Sequence, residues 1–230
     1  MKTMKPEFSV SLMCMDYLRI REQIEILNSR ADYYHMDIMD GHYCKNITLS
    51  PDFISAIKKV STIPMEAHLM TEYPNDFIDM VHKAGAEIIS VHAETINTDA
   101  FRVINKIKSL GVKAGIVLNP ATPLEYIKHY ISRLDLITIM TVDVGYAGQA
   151  FIEEMLDKIA LCKKLKEENR YSYTIQIDGS CNIKTYKKLC DAGSERFVVG
   201  TSGLFGLDPS LEKAYDMLRR DFSSATGISI

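Results

Sequence analysis

Short apolar runs and longer stretches with helical periodicity alternate along the whole chain. The runs lie at Phe8–Met13, Tyr33–Ile38, Pro64–Leu69, Glu87–Val91, Lys113–Leu118, Leu136–Met140, Tyr173–Ile177 and Arg196–Val199. They recur roughly every 22 to 38 residues, which is the spacing of β/α units. Helix signals fall between them. Ser50-Pro51, Thr122-Pro123 and Asp208-Pro209 each put a capping side chain before a proline and predict helix starts. Ala84-Gly85 and Ala192-Gly193 predict helix ends just before a new strand. Met155–Glu168 reads as an amphipathic helix with its lysine run on a solvated face.

This alternation predicts an α/β protein, a closed (β/α)8 TIM barrel with residues 1–230 as one domain. A doubly wound open sheet is the competing arrangement. The barrel is preferred because the chemically unusual residues sit at the C-terminal ends of many different strands, and a barrel gathers those ends at one mouth.

Composition narrows the function classes. Hydrophobic residues make up 47% of the 230, and 27 basic residues face 30 acidic ones, so the chain reads as globular and lacks the basic excess of a nucleic-acid binder. No apolar run reaches the ~18 residues of a membrane span. Met1–Glu7 is followed by Asp16, Arg19, Arg21 and Glu22 and not by an apolar leader core. The 5 cysteines are odd in number and form no C-x-x-C pair, as expected of reduced thiols in a cytoplasmic protein.

The most informative stretch is His35-Met36-Asp37-Ile38-Met39-Asp40-Gly41-His42. A strand alternates faces, so His35, Asp37 and Met39 share one face. A buried parallel strand is normally apolar on both faces, and a His and an Asp inside it need each other or a cation. This segment alone leaves both readings open. Glu66-Ala67-His68 and Gln176-Ile177-Asp178 add a second imidazole and a second carboxylate at the ends of two more strands. Together the four suit one divalent ion, Zn²⁺, Fe²⁺, Mn²⁺ or Co²⁺.

A second constellation is glycine-rich. Gly145-Tyr146-Ala147-Gly148, Gly179-Ser180 and Gly200-Thr201-Ser202 follow three successive strands. Each alone is a tight turn. Three adjacent ones predict a phosphate site, which barrels commonly build after their last strands. None matches the dinucleotide G-x-G-x-x-G fingerprint. Met39, Met70 and Met140 lie at or near strand ends, where core filling is their ordinary role. Ser11, His92 and Asn119 also lie at strand ends and are candidates for contact with a hydroxylated ligand, whereas Tyr33 and Gln176 read as inner-barrel packing.

In combination these segments, with His68-Leu69-Met70, Met140-Thr141-Val142-Asp143 and Gly148-Gln149, resemble the ribulose-phosphate 3-epimerase family over nearly the whole chain. Leu12-Met13-Cys14-Met15, Glu94-Thr95-Ile96-Asn97, Asp178-Gly179-Ser180-Cys181-Asn182 and Gly200-Thr201-Ser202-Gly203-Leu204-Phe205 are more similar to its D-allulose-6-phosphate branch. The pentose enzymes usually carry a second glycine where Ser180 stands. Val10, Tyr43-Cys44-Lys45, Ala93 and Val144 depart from the common pattern and leave the candidate metal ligands intact.

The resemblance implies a metal-dependent 3-epimerase that converts D-allulose 6-phosphate to D-fructose 6-phosphate, or acts on D-ribulose 5-phosphate. It implies a metal held by His35, Asp37, His68 and Asp178, with Asp37 and Asp178 exchanging the C3 proton on opposite faces of an enediolate. Ser11, His68 and His92 would contact substrate, the three methionines would cap it, and the glycine loops with Ser180, Thr201 and Ser202 would grip its phosphate. It also implies a homo-oligomer. A sugar-phosphate-binding barrel without catalysis is the reading from a different class.

Overall fold

The computed structural model describes residues 5–230. Residues 1–4, and with them part of the segment read for a leader, lie outside the described residues. Eight parallel strands form the barrel: β1 (Glu7–Ser11), β2 (Tyr33–Asp40), β4 (Met65–Met70), β5 (Ile88–His92), β6 (Lys113–Leu118), β7 (Leu136–Met140), β8 (Thr174–Asp178) and β9 (Arg196–Val199). A two-residue strand, β3 (Ile47–Thr48), hangs antiparallel on the end of β2 and was not predicted. β1 pairs with both β2 and β9, which closes the sheet on itself.

The helices are α1 (Ile20–Leu27), α2 (Pro51–Lys58), α3 (Asn75–Ala84), α4 (Ala100–Ser109), α5 (Met155–Asn169), α6 (Tyr186–Ala192) and α7 (Leu211–Thr226). Among the described residues none is long and apolar enough to cross a membrane. The Ser50 side chain caps α2 by accepting from the Phe53 amide, with Pro51 in the first turn. Gly85 and Gly193 end α3 and α6 in the left-handed conformation.

Two predicted starts differ. Pro123 is extended, and only two short 3₁₀ turns follow it, at Leu124–Ile127 and Ile131–Arg133. The Thr122 hydroxyl is diverted from capping because it donates to Glu94. α7 starts after Ser210, whose hydroxyl accepts from the Lys213 amide, while Asp208 caps the turn before it. Nor is the whole lysine run of α5 solvated. Lys166 pairs with Glu195 at 2.6 Å and lies 5.7 Å from the Tyr173 ring centroid.

The apolar core fills the shell between strands and helices, since the outward face of each buried strand must be covered. At the seam between the first and last strands, Phe8 and Phe197 meet Tyr186 of α6 and Phe222 of α7, with ring centroids 5.1–6.5 Å apart. Such pairs add about 0.5–1.5 kcal/mol each beyond area burial.

The barrel interior is instead polar. Ser9, Glu66, Ser90, Thr138 and Gln176 are all buried there. Arg196 lies below them, its Nε donating to Glu7 at 2.9 Å and its guanidinium 3.5 Å from the centre of the Tyr33 ring. Gly115 permits this packing. A Cβ there would meet the Ser90 hydroxyl at 2.1 Å, and that hydroxyl donates to Glu66 at 2.6 Å.

Candidate active site

Strand register brings the site together. Asp37 of β2 is level with His68 of β4, and His35 is level with Glu66. All four alternate inward, and Asp178 ends β8 at the same mouth. His35 Nε2 lies 3.2 Å from Asp37 Oδ1, 3.0 Å from His68 Nδ1 and 3.4 Å from Asp178 Oδ2. His68 Nδ1 lies 3.3 Å from Asp37 Oδ1 and 3.5 Å from Asp178 Oδ2.

This set fits a metal. Ions bound at about 2.0–2.2 Å by nitrogen and oxygen hold neighbouring ligands about 3.0–3.5 Å apart. The four donor atoms all lie within 4.8 Å of one another. The outer contacts set the tautomers to match. Glu66 Oε2 is 3.0 Å from His35 Nδ1, so that nitrogen donates and Nε2 keeps its lone pair for the cluster. Glu66 in turn accepts from Ser90 and from Gln176 Nε2. Glu66 was not singled out from sequence, although it shares the inward face of its strand with His68.

Electrostatics follow from this crowding. Burial pushes the His35 imidazole down, but Asp37 and Glu66 outweigh it and hold it well above the ordinary histidine range. His68 is likewise raised by its bonds to Asp178 and Asp37 against the pull of burial. Burial raises the Asp37 and Asp178 carboxyls, yet the two imidazoles hold both below their usual range. Burial opposes the Glu66 carboxyl too, and His35 still brings it down to about 2. His92 is pushed down by burial to about 4 and so stays neutral.

A proton and a cation therefore compete for His35 and His68. Cation binding at neutral pH is expected to release protons, and affinity should fall as pH falls, because a protonated imidazole cannot ligate. Calorimetry of metal binding in buffers of different ionisation enthalpy checks this. A binding enthalpy independent of the buffer would refute it.

Above the cluster a cavity opens to solvent. Ser11, Asp37, Asp178, Met39, Met70 and Met140 line its floor and walls. Gly145, Tyr146, Ala147, Gly148, Gly179, Ser180, Gly200, Thr201 and Ser202 all line it as well. Ser11 Oγ donates to Asp37 Oδ2 at 2.7 Å. Asp178 is the more exposed carboxylate, 17% against 5% for Asp37.

Other candidates stand elsewhere. His92 is fully buried behind His68, with its Nε2 2.9 Å from His68 Nε2, and does not line the cavity. Asn119 is turned aside, its amide donating to the Tyr43 hydroxyl at 2.6 Å. Gln176 reaches Glu66 and Thr138 in the barrel interior. Sequence reading did not assign Met13, Cys14, Val142, Asp143, Gln149, Cys181 and Val198 to the cavity wall; apart from Asp143 these are neutral or apolar and carry no signal of their own.

Comparison with known proteins agrees with this architecture. The chain is 39% identical over 194 residues to the ribulose-phosphate 3-epimerase of Bacillus subtilis strain 168, covering 84% of this chain and 89% of that one. It is 38% identical over 200 residues to the chloroplastic ribulose-5-phosphate-3-epimerase of Arabidopsis thaliana, covering 86% and 71%. Among solved structures, a mutant tryptophan synthase α-subunit from Pyrococcus furiosus superposes with a TM-score of 0.67 at 14% identity, covering 98% and 100%. A 3-hexulose-6-phosphate synthase superposes with a TM-score of 0.64 at 15% identity, covering 96% and 99%. At such identities these structures speak for the barrel alone. The model of the ribulose-phosphate 3 epimerase family matches residues 7–205, and on that extent of match the chain belongs to the ribulose-phosphate 3-epimerase family, as an isomerase.

Proposed function

We propose that this chain, as one domain over residues 1–230, inverts C3 of a phosphorylated ketose by proton transfer between two carboxylates. The observation that carries the reading is Asp37 and Asp178 meeting two imidazoles at the floor of a cavity rimmed by three glycine-bearing loops. His35, Asp37, His68 and Asp178 would hold one divalent cation, Zn²⁺, Fe²⁺, Mn²⁺ or Co²⁺. When bound, it supplies Lewis-acid polarisation of the substrate's carbonyl and adjacent hydroxyl oxygens.

One carboxylate starts ionised and removes the C3 proton. The other, ionised at rest, takes up a proton as bound substrate excludes water from the cluster and returns it to the opposite face of the enediolate. The pair titrates as a coupled unit, so one turnover leaves the roles exchanged and the reverse reaction uses the same groups. Ser11 orients Asp37 through its free oxygen. The sulfurs of Met39, Met70 and Met140 wall the planar intermediate from water. The loops at Gly145–Gly148, Gly179-Ser180 and Gly200–Ser202 grip the phosphate. The family resemblance supports a homo-oligomer in the cytoplasm.

The names of the relatives support D-ribulose 5-phosphate as the substrate. D-Allulose 6-phosphate is the second reading, carried by the resemblance at Ser180, where the pentose enzymes usually have glycine. Ser180 holds a left-handed φ of 50°, which costs a residue other than glycine, and its hydroxyl donates to the Gln149 carbonyl at 2.5 Å. It thereby ties together two of the loops that would hold the phosphate. A polar pocket contact discriminates by ~10⁴–10⁵, mere size by only ~10².

The test is side-by-side epimerisation of both ketose phosphates with each of the four metals. Preference for the pentulose is the expected result. Preference for the hexulose would transfer the reading to the second substrate. Metal bound without turnover of either would reduce the chain to a sugar-phosphate-binding barrel.

A further inference from the structure

We propose that Glu94, acting through His92, is a positioning residue for His68. The inference rests on the reading of the His35, Asp37, His68 and Asp178 cluster as a metal site. His68 offers Nδ1 to that cluster, so its proton sits on Nε2. That nitrogen is 2.9 Å from His92 Nε2, and the two buried rings stack with centroids 5.0 Å apart. A bond between two ring nitrogens needs one donor and one acceptor. His68 donates, so His92 accepts and carries its own proton on Nδ1.

His92 Nδ1 is buried and has no partner within hydrogen-bond distance among the described residues. The carboxylate facing it is Glu94, with Oε2 at 3.5 Å. The other oxygen of Glu94 is already engaged, accepting from the Asn119 backbone N–H at 3.1 Å and from the Thr122 hydroxyl. Oε2 is therefore the oxygen turned to the imidazole. Tyr43 closes the far side of His92, its ring centroid 4.7 Å away and its hydroxyl 3.5 Å from the same oxygen.

The cluster thus has two supporting arms. Glu66 holds His35 directly, and Glu94 holds His68 with one imidazole interposed. Such outer partners typically change metal affinity by about 10–100-fold. A plain structural role for Glu94, bracing the turn at Thr122, predicts something different.

The experiment is Co²⁺ titration of the metal-free full-length chain, followed by the visible spectrum of the bound ion. Glu94→Gln should weaken Co²⁺ binding about 10-fold and shift the absorption band. Thr122→Val, which removes the hydroxyl brace but leaves the Asn119 backbone N–H on the same Glu94 oxygen, should do neither. His92→Phe should weaken binding similarly, and adding Glu94→Gln to it should have no further effect. An unshifted band and unchanged affinity in Glu94→Gln would overturn the proposal, as would a Thr122→Val variant that reproduces its loss, or additive losses in the double variant. A wild-type chain that binds no Co²⁺ would overturn the metal reading and this inference together.

Discussion

Asp178→Asn is expected to lower kcat by about 10³–10⁴-fold while circular dichroism shows the barrel intact. Removing one general acid–base group costs up to about 10⁴-fold. Here the lost carboxylate would also be one of four donors converging within 4.8 Å. The mechanism makes a sharper prediction in D₂O. Asp37 retains its oxygen on Ser11 and can still remove and return a proton on its own side. The variant should therefore exchange the C3 hydrogen for deuterium with retention, faster than it inverts the centre. Proton NMR of the recovered substrate reads both rates. Full turnover in Asp178→Asn would remove the two-carboxylate mechanism.

Metal removal should act on stability as well as turnover. Without a cation, the buried imidazoles and carboxylates balance one another only by holding protons. A cation at ~1,000 times its Kd stabilises the folded chain by about 4 kcal/mol. For a chain of this size each kcal/mol moves Tm by about 2–4 °C. Exhaustive chelation should then lower Tm by about 8–16 °C, to be regained with Zn²⁺, Mn²⁺, Co²⁺ or Fe²⁺ along with activity. Thermal melts with and without the ion decide it. An unchanged Tm, together with turnover that survives chelation, would mean that the cluster holds no ion.

The barrel and the four cluster residues were legible because strands obey a two-residue period. His35 and Asp37 stand out only because their neighbours on a buried strand ought to be apolar on both faces. The same logic applied to Glu66 would have found the partner of His35, since Glu66 and His68 are two apart on one strand. Glu94 was harder to read. It lies on a 3₁₀ turn, where no face is repeated, and its meaning depends on His92 having already been spoken for by His68. His92 itself was read as facing substrate. A strand-end position does not say whether a side chain looks into the mouth or behind another ring. Thr122-Pro123 carried a sound capping signal that a tertiary partner, Glu94, diverted. The left-handed φ of Ser180 is not signalled by serine itself; the only hint is the glycine that the pentose enzymes usually carry there.

The seam between β1 and β9 sets an order of events as the chain emerges during synthesis. β1 is made first, yet one of its edges has no neighbour until the last strand appears. His35, Asp37 and His68 are all in place within the first third of the chain, whereas Asp178 arrives in the last quarter. Non-local pairings of this kind slow folding, since the loop entropy must be lost before contacts form. The four-donor cluster is therefore complete only once β8 has joined β2 and β4. A cation held there would link strands made early to one made late. Metal present during refolding should thus slow unfolding more than it speeds folding, the behaviour of a contact made after the transition state.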